Sequence, residues 1–461
     1  RNTVHKVNNL TFAGSSSVEL SSFGLLKEMY IKWVVKYTVA QAGAVNIAKH
    51  PYATIIKRIA LMNSSRELFQ VYGESILMKT KSLPYGERQK WLMAGEHDIQ
   101  TLPTTPVDIQ GASVVANVST QPGQSAGAGE KTLTFYTRIP WSFMKGRFQA
   151  GENNHDYLKT IPNLRFSEVT RVLIETNEAH HVVAGATGQL LTNVKIDSCE
   201  VFCNYIIPSP QANQLIEAGN YSLDAPASYL YGNEVMNETT ATVTSANGLH
   251  THNVKIYNTN FTQGFTILLH KVREKANAEA LGTKIRNGQA TGLDKLMGNV
   301  ADANPLPATI VAGLLTDAGF RHPSDATTGD SRFGNDFVTI TKLVIKTSGR
   351  VLFEASDSKQ LLLTTSDMIN WCDGRGHQDF RTMRDRNGCS DNNIIYVPFS
   401  LLSNSNELSS GLSLRGLATL DLEITFQGVQ NMKYDCKVIT NYQQIVSLET
   451  TSGRFIASTS Q

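Results

Sequence analysis

Apolar and polar positions alternate with period two along most of this chain, the rhythm of strands that bury one face and wet the other. In the run Tyr30 to Val39, Ile31, Trp33 and Val35 share one face while Lys32, Val34 and Lys36 share the other. The apolar run Ile55 to Asn63 leads through Asn63, Ser64 and Ser65 into Glu67 to Tyr72, which predicts a hairpin. A second hairpin is predicted over Lys342 to Ala355, turning at Ser348-Gly349, where glycine accepts a positive φ at no steric cost. Further strands are predicted over 131–140, 167–176 and 194–207, and again over 394–399, 418–426 and 432–442. Helical periodicity is confined to insertions: Gly86 to Gly95, Val272 to Gly288 and Ala308 to Gly319. Evenly spaced strands parted by loops predict sandwiches.

The chain states this pattern twice. Thr54-Ile-Ile-Lys57 leading to Arg66-Glu-Leu-Phe69 is echoed by Thr339-Ile-Thr-Lys342 leading to Arg350-Val-Leu-Phe353. Arg138-Ile-Pro140-Trp141-Ser-Phe143 is echoed by Tyr396-Val-Pro398-Phe399-Ser-Leu401, and Leu164-Arg165 by Leu414-Arg415. Asn193-Val-Lys195-Ile-Asp197, with Asn204-Tyr205, is echoed by Asn431-Met-Lys433-Tyr-Asp435, with Asn441-Tyr442. Order is kept, and the offset falls from 285 (54 to 339) through 258 (140 to 398) and 250 (164 to 414) to 238 (193 to 431). A steady drift is what a tandem duplication with longer loops in its first copy produces. The reading is therefore all-β: two tandem eight-stranded jelly-roll sandwiches with helical and loop insertions. The expected divisions are an N-terminal arm at 1–20, a first jelly roll at 21–212, a linker at 213–228 and a second jelly roll at 229–461 carrying a large insertion at 274–336.

With 461 residues the chain can bury two cores without staples. Its 42 basic and 40 acidic residues leave a net charge of +2, and no basic run is present, so sequence-specific nucleic-acid binding is not expected. Neither a transmembrane run nor a signal-peptide core is expected. The five cysteines are odd in number; Cys199 and Cys436, at matching places in the repeats, read as small buried hydrophobes.

Candidate chemistry is sparse. His250 and His252, two residues apart on one strand face, resemble the start of a cupin metal site, but no carboxylate follows in Asn253 to Asn258, so a solvated strand edge is the default. Asp385, Asn387, Gly388 and Asp391 resemble part of a calcium loop that lacks its closing Glu, and an Asp/Asn-capped turn accounts for them better. His180-His181 has no sequence-adjacent carboxylate pattern, and Gly127 to Gly129 is a turn with no phosphate-binding helix after it. The repeated positions Pro140, Trp141, Pro398 and Phe399 read as core packing or interdomain contact, and Lys195, Asp197, Lys433 and Asp435 as marks of the duplication. No catalytic residue, cofactor or metal is expected.

Asn393-Ile-Ile-Tyr-Val-Pro-Phe-Ser400, then Ser410-Gly-Leu-Ser-Leu-Arg415 and the strand Leu417 to Ile424, resemble the double jelly-roll major capsid proteins of tailless icosahedral DNA viruses, the lineage of PRD1 and the large eukaryotic DNA viruses. The turn Leu414-Arg415-Gly416 departs from the aromatic and basic residues that the family often carries there, and the 274–336 insertion is larger than in its simplest members. The resemblance implies a structural protein of the virion, three chains forming a pseudo-hexameric tile, with copies of itself as partners. Penton, minor capsid or membrane proteins and an underlying lipid layer are further implied partners. It also implies that 274–336 and 97–130 form towers or locking loops, and that the N-terminal arm meets neighbouring subunits or membrane. A jelly-roll carbohydrate-binding or spike protein is the alternative, followed by a bicupin enzyme resting on His250 and His252.

Overall fold

The structure, a computed structural model, describes residues 2–22, 24–40, 43–47, 51–81, 90–91, 94–95, 124–126, 128–141, 169–185, 191–207, 209–211, 228–244, 248–257, 261–271, 340–347, 349–357, 360–361, 394–399, 411–413, 419–428, 433–451 and 454–460. Its first half runs β1 (Asn2–Val7), β2 (Ser15–Glu19), β3 (Leu25–Val39), β4 (Gly43–Ile47), α1 (Pro51–Thr54), β5 (Ile56–Asn63), β6 (Arg66–Tyr72) and α2 (Gly73–Lys81). It continues through β7 (Gln124–Ala126), β8 (Gly129–Arg138), β9 (Thr170–Thr176), β10 (Val183–Gly185) and β11 (Leu191–Ile206). The second half holds β12 (Ser228–Thr242), β13 (Gly248–Ile256), β14 (Phe261–Lys271), β15 (Ile340–Thr347), β16 (Arg350–Ala355) and β17 (Ile394–Pro398). It ends with β18 (Leu412–Ser413), β19 (Leu420–Gly428), β20 (Lys433–Thr451) and β21 (Arg454–Ser460).

Sheet topology repeats the duplication strand for strand. The first half pairs β1-β11-β3-β8 in one sheet and β2-β9-β5-β6 in another; the second pairs β12-β20-β14-β17 and β13-β19-β15-β16. Taken in order, the eight strands of each half form the same two four-stranded antiparallel sheets, the jelly-roll arrangement. A three-stranded ribbon, β10-β4-β7, is added to the first half. In the second, β20 outruns β14, and β21 then pairs along its far end from Ile445 onward.

The copies also share their irregularities. Opposite Asn204-Tyr205, β3 carries Lys27 as an extra residue, and opposite Asn441-Tyr442, β14 carries Gln263. The β5–β9 ladder skips Lys57 where β15–β19 skips Thr341, and both hairpins bulge, at Leu68 and at Leu352. Bulges redirect a strand and persist as designed features, so three coincident bulges fix the alignment of the halves to the residue. They correct the sequence reading twice. The offset across the hairpins is 284 (Leu61 to Ile345), not 285, so Lys342 stands where Arg58 does rather than at Lys57. In β11, Asp197 is itself a bulge residue, and Ser198 takes the place of Asp435. Because side chains alternate faces, a slip of one residue exchanges inside for outside.

Each half closes on its own core. Trp33, Ile31, Phe135, Ile59, Val172 and Val201 are fully buried in the first; Phe265, Ile267, Leu343, Ile395, Ile424 and Val438 fill the second almost as completely. Trp33 Nε1 donates to Thr137 Oγ1 at 2.9 Å, and that hydroxyl donates to the Tyr52 carbonyl at 2.8 Å, so the indole is buried without an orphaned donor. Cys199 and Cys436 take equivalent inward positions, both buried as free thiols. The hairpin turns fall where the pattern places them, with Ser64 (φ 54) and Gly349 (φ 79) in the left-handed region.

Within the stretch 1–20, expected as an arm, Asn2–Val7 instead pairs with β11 and Ser15–Glu19 with β9, both in the first sandwich. Their alternating polar and small residues form edge strands, whose outer face is legible only once the partner is known. The helix α2 and the strand β12 have no counterpart among the elements that periodicity predicts. Of the Gly86–Gly95 helix only four residues are described, and they are helical. The helices at 272–288 and 308–319, the insertion at 274–336 and nearly all of the 213–228 linker lie outside the described residues.

Candidate assembly interface

The second sandwich docks on the first through the outer face of its β12-β20-β14-β17 sheet. Leu268, Tyr396 and Ile439 point away from their own core and join the core of the first half, with Met236 packed at the margin. These buried side chains make the interface centre apolar, and β12 and β20 of the same sheet reach β6 and α2.

Its rim is polar. β6 is the outer strand of its sheet, and an outer strand presents backbone groups that need partners. Asn233 on β12 supplies them: its Oδ1 accepts the Gln70 N–H at 3.0 Å, and its Nδ2 donates to the Leu68 carbonyl at 3.4 Å. Gln444 Nε2 donates to the same carbonyl. Glu234 Oε1 accepts the Tyr72 N–H at 3.1 Å, while its Oε2 binds Lys79 Nζ of α2 at 3.0 Å. Tyr72 returns the contact by accepting the Met236 N–H at 3.2 Å on its hydroxyl. Asn233 also donates to Tyr442 Oη at 3.0 Å, and burial pushes that phenol up to about 12. The glutamate is 2% exposed, a burial that a carboxylate tolerates only when paired and hydrogen-bonded.

Beside this contact a polar cleft of about 550 Å³ opens between the loop Ala13 to Ser15, the segment 175–181 and β20. Lys437 crosses it to Glu74 at 2.5 Å, with Glu238 at 3.6 Å. Five carboxylates (Glu74, Glu175, Glu178, Glu238 and Asp435) outnumber the lysines Lys57 and Lys437 along it, yet among the described residues no group of three His, Cys, Asp or Glu is placed to hold a metal.

The positions singled out from the sequence fall as follows. Trp141 is buried with its ring centroid 6.2 Å from Phe69, and with Pro140 it borders the small cavity shared with Asn233, Glu234 and Gln263. Phe399, its counterpart, packs edge-on against Phe265 at 5.4 Å in the second core. Their main-chain amides are anchored differently: Trp141 N–H donates to the Ile139 carbonyl at 3.0 Å, and Phe399 N–H to the Gln263 carbonyl at 2.8 Å. Lys195 lies 3.9 Å from Asp197, which pairs more closely with Lys36 at 3.2 Å, and Asp435 accepts from Thr240 at 3.1 Å; Lys433 is exposed. His250 and His252 lie on one face of β13. His252 Nε2 is 3.0 Å from Thr239 Oγ1, and burial lowers its pKa; the His250 ring lies 6.4 Å from that of Phe426. His180 does have a carboxylate, Glu178 at 3.2 Å. The 371–391 segment is outside the described residues. Sequence reasoning missed Asn233 and Glu234, because the polar stretch Gly232 to Thr240 has no apolar alternation to mark it as a strand.

No family model matches the sequence, and no curated protein matches it. Solved structures do. The fold of PBCV-1 VP54, fitted into a reconstruction of the virophage Sputnik, superposes with a TM-score of 0.60 over 100% of this chain and 97% of that one, at 10% identity. The PBCV-1 capsid model gives 0.59 over 100% and 96%, at 11% identity. The Faustovirus major capsid protein gives 0.60 over 97% and 90%, also at 11% identity. Matches that span both halves of both molecules, on top of the shared strand order and bulges, show that this chain has the double jelly-roll fold found in those major capsid proteins.

Proposed function

We propose that this chain is the major capsid protein of an icosahedral virus, three copies forming a pseudo-hexameric tile of the virion shell. The observation that carries the reading is the pair of equivalent sandwiches locked side by side through a buried, polar-rimmed interface. Two like units so joined turn a threefold assembly into six similar corners, a shape that covers a facet. The three solved structures described above are of viral capsids or capsid proteins, which supports the same reading.

A structural role also fits the chemistry of the contact, where the buried side chains of Asn233, Glu234 and Gln444 all bond across the junction. Its partners are copies of itself. Minor capsid proteins, penton proteins or a lipid layer beneath the shell are further partners consistent with the reading.

The test is light scattering on the purified full chain together with electron microscopy. A stable trimer that images as near-hexagonal tiles is the expected result. A monomer at capsid-forming concentrations, or a ring of other order, overturns the proposal.

A further inference from the structure

The bulge that the two sandwiches share places its extra residue in unlike surroundings. In the first sandwich that residue is Lys27, which is exposed; in the second it is Gln263, which is 4% exposed. The main chain of Gln263 is held in place, its carbonyl accepting the Phe399 N–H at 2.8 Å. Its side-chain Nε2 is buried and meets no acceptor in the protein. A buried amide N–H left unpaired is destabilising, and protein interiors satisfy such groups either from the chain or with ordered water.

The surroundings suit the second remedy. Gln263 borders a cavity of about 30 Å³ at the junction of the sandwiches, enclosed by Phe69 and Trp141 of the first and by Asn233, Glu234 and Asn441 of the second. One water needs roughly 10–15 Å³ of such space and two to four polar partners. The walls supply acceptors to go with the Gln263 donor. Glu234 accepts from the Tyr72 N–H and from Lys79, and a carboxylate offers roughly four lone-pair sites, so it retains capacity for a further donor. Asn441 spends an amide N–H on Thr266 Oγ1 at 3.1 Å and has its Oδ1 to accept with.

We infer that this cavity is a binding site for one ordered water, which accepts from Gln263 Nε2 and donates to the acceptors around it, Glu234 and Asn441 foremost. The chemistry selects water over an ion: the N–H donor repels a cation, and the Glu234 carboxylate repels an anion. Held there, the water ties the β14 bulge to the Glu234–Lys79 pair, so that the bulge, β12 and α2 share one polar network across the junction. Gln263 is the positioning residue of that network. Lys27, at the same bulge in the first sandwich, reaches solvent directly and needs no such site.

The test is a crystal structure of the full-length chain at a resolution that shows ordered water, set beside the variant Gln263→Met, which keeps the length of the side chain and removes the donor. In the parent a density peak is expected in the cavity, about 2.7–3.2 Å from Gln263 Nε2; in the variant it is expected to be lost. Oxygen-17 relaxation dispersion of the solvent signal checks the same point in solution, where the parent is expected to hold one more long-lived water than the variant. A parent cavity without water, or a Gln263 amide paired directly with a protein group, overturns the inference. A water that keeps its place in Gln263→Met overturns it as well, because the glutamine then does not hold it. The parent crystal decides the site even if Gln263→Met fails to fold, and Gln263→Leu then serves for the comparison.

Discussion

Asn233 holds Gln70 across the boundary between the two sandwiches, its Oδ1 3.0 Å from the Gln70 amide nitrogen, although the residues lie on different domains. The same side chain reaches the Leu68 carbonyl and Tyr442. One amide thus closes the edge of one sheet and fastens it to the next. Asn233→Ala removes partners from a buried backbone N–H and carbonyl, and each orphaned group costs about 1–3 kcal/mol. Gln444 still reaches the carbonyl, so the expected loss is about 2 kcal/mol, read as a lowered denaturant midpoint with the slope unchanged. A change within about 0.5 kcal/mol, the range of ordinary surface substitutions, shows that the amide does not fasten the domains.

The ion pair next to it separates charge from packing. Glu234 is buried and accepts from both Tyr72 N–H and Lys79. Lys79→Met leaves that carboxylate buried without its cation, an arrangement that costs about 3 kcal/mol, the lower end for a broken buried pair because the lysine is still 17% exposed. Adding Glu234→Gln to Lys79→Met removes the charge and keeps an acceptor for Tyr72. The double variant is therefore expected to be more stable than Lys79→Met alone. Equal or lower stability means that the lysine acts through its packing instead.

The sequence carries the architecture through alternation and repetition. Trp33, Ile267 and Val438 fall on inward faces because their strands bury one side, and the hairpin turns at Ser64 and Gly349 announce themselves by residue type. What it does not carry is register and edge. Lys57 and Lys342 look equivalent as letters, yet a bulge separates them by one position. The interface is illegible for a related reason. Asn233 and Glu234 are polar residues on a strand whose buried face belongs to another domain, and a single sequence gives no sign of which surface a neighbour covers. Residues 2–7 likewise read as an arm because an edge strand of Asn, Thr, His and Lys shows no alternation until β11 is beside it.

Burial also sets the response to alkali. The Cys203 and Cys436 thiols are pushed up from 9.0 to about 12 by burial, and Tyr37 is raised from 10.0 to about 12 by the same cause. A raised value means that the folded state holds its proton while the unfolded chain releases it. These groups therefore contribute stability that is fully present below about pH 9 and is lost as pH rises from there toward about 12. Denaturant midpoints measured at about pH 7.5, 9 and 10.5 are expected to fall slightly across the first interval and chiefly across the last. Iodoacetamide at about pH 8 should leave Cys199, Cys203 and Cys436 unmodified until denaturant is added, as mapped by mass spectrometry. Labelling of these three in the folded chain contradicts their inward placement.

Gly264 gives the sharpest test of how the copies diverged. Its equivalent in the first sandwich is Glu28, which lies on the outer face and accepts from Asn204 at 3.0 Å. In the second sandwich that face is covered, and the Tyr396 ring lies across the glycine: a Cβ there would stand 2.5 Å from the Tyr396 hydroxyl oxygen, 2.6 Å from Cζ and 2.7 Å from the Val397 carbonyl. A strand glycine marks close approach of another group, and here the approaching ring is one that the first domain's core encloses. Gly264→Ala must displace the ring or the strand, so a loss of about 1–3 kcal/mol is expected, in the range of overpacked cores. Displacing Tyr396 should loosen the junction as well, splitting a single calorimetric transition into two. Tyr396→Leu in the same chain removes the hydroxyl and Cζ from the clash, so the additional cost of Gly264→Ala should shrink in that background. A Gly264→Ala chain as stable as its parent means that the close approach of Tyr396 is not what keeps this position a glycine.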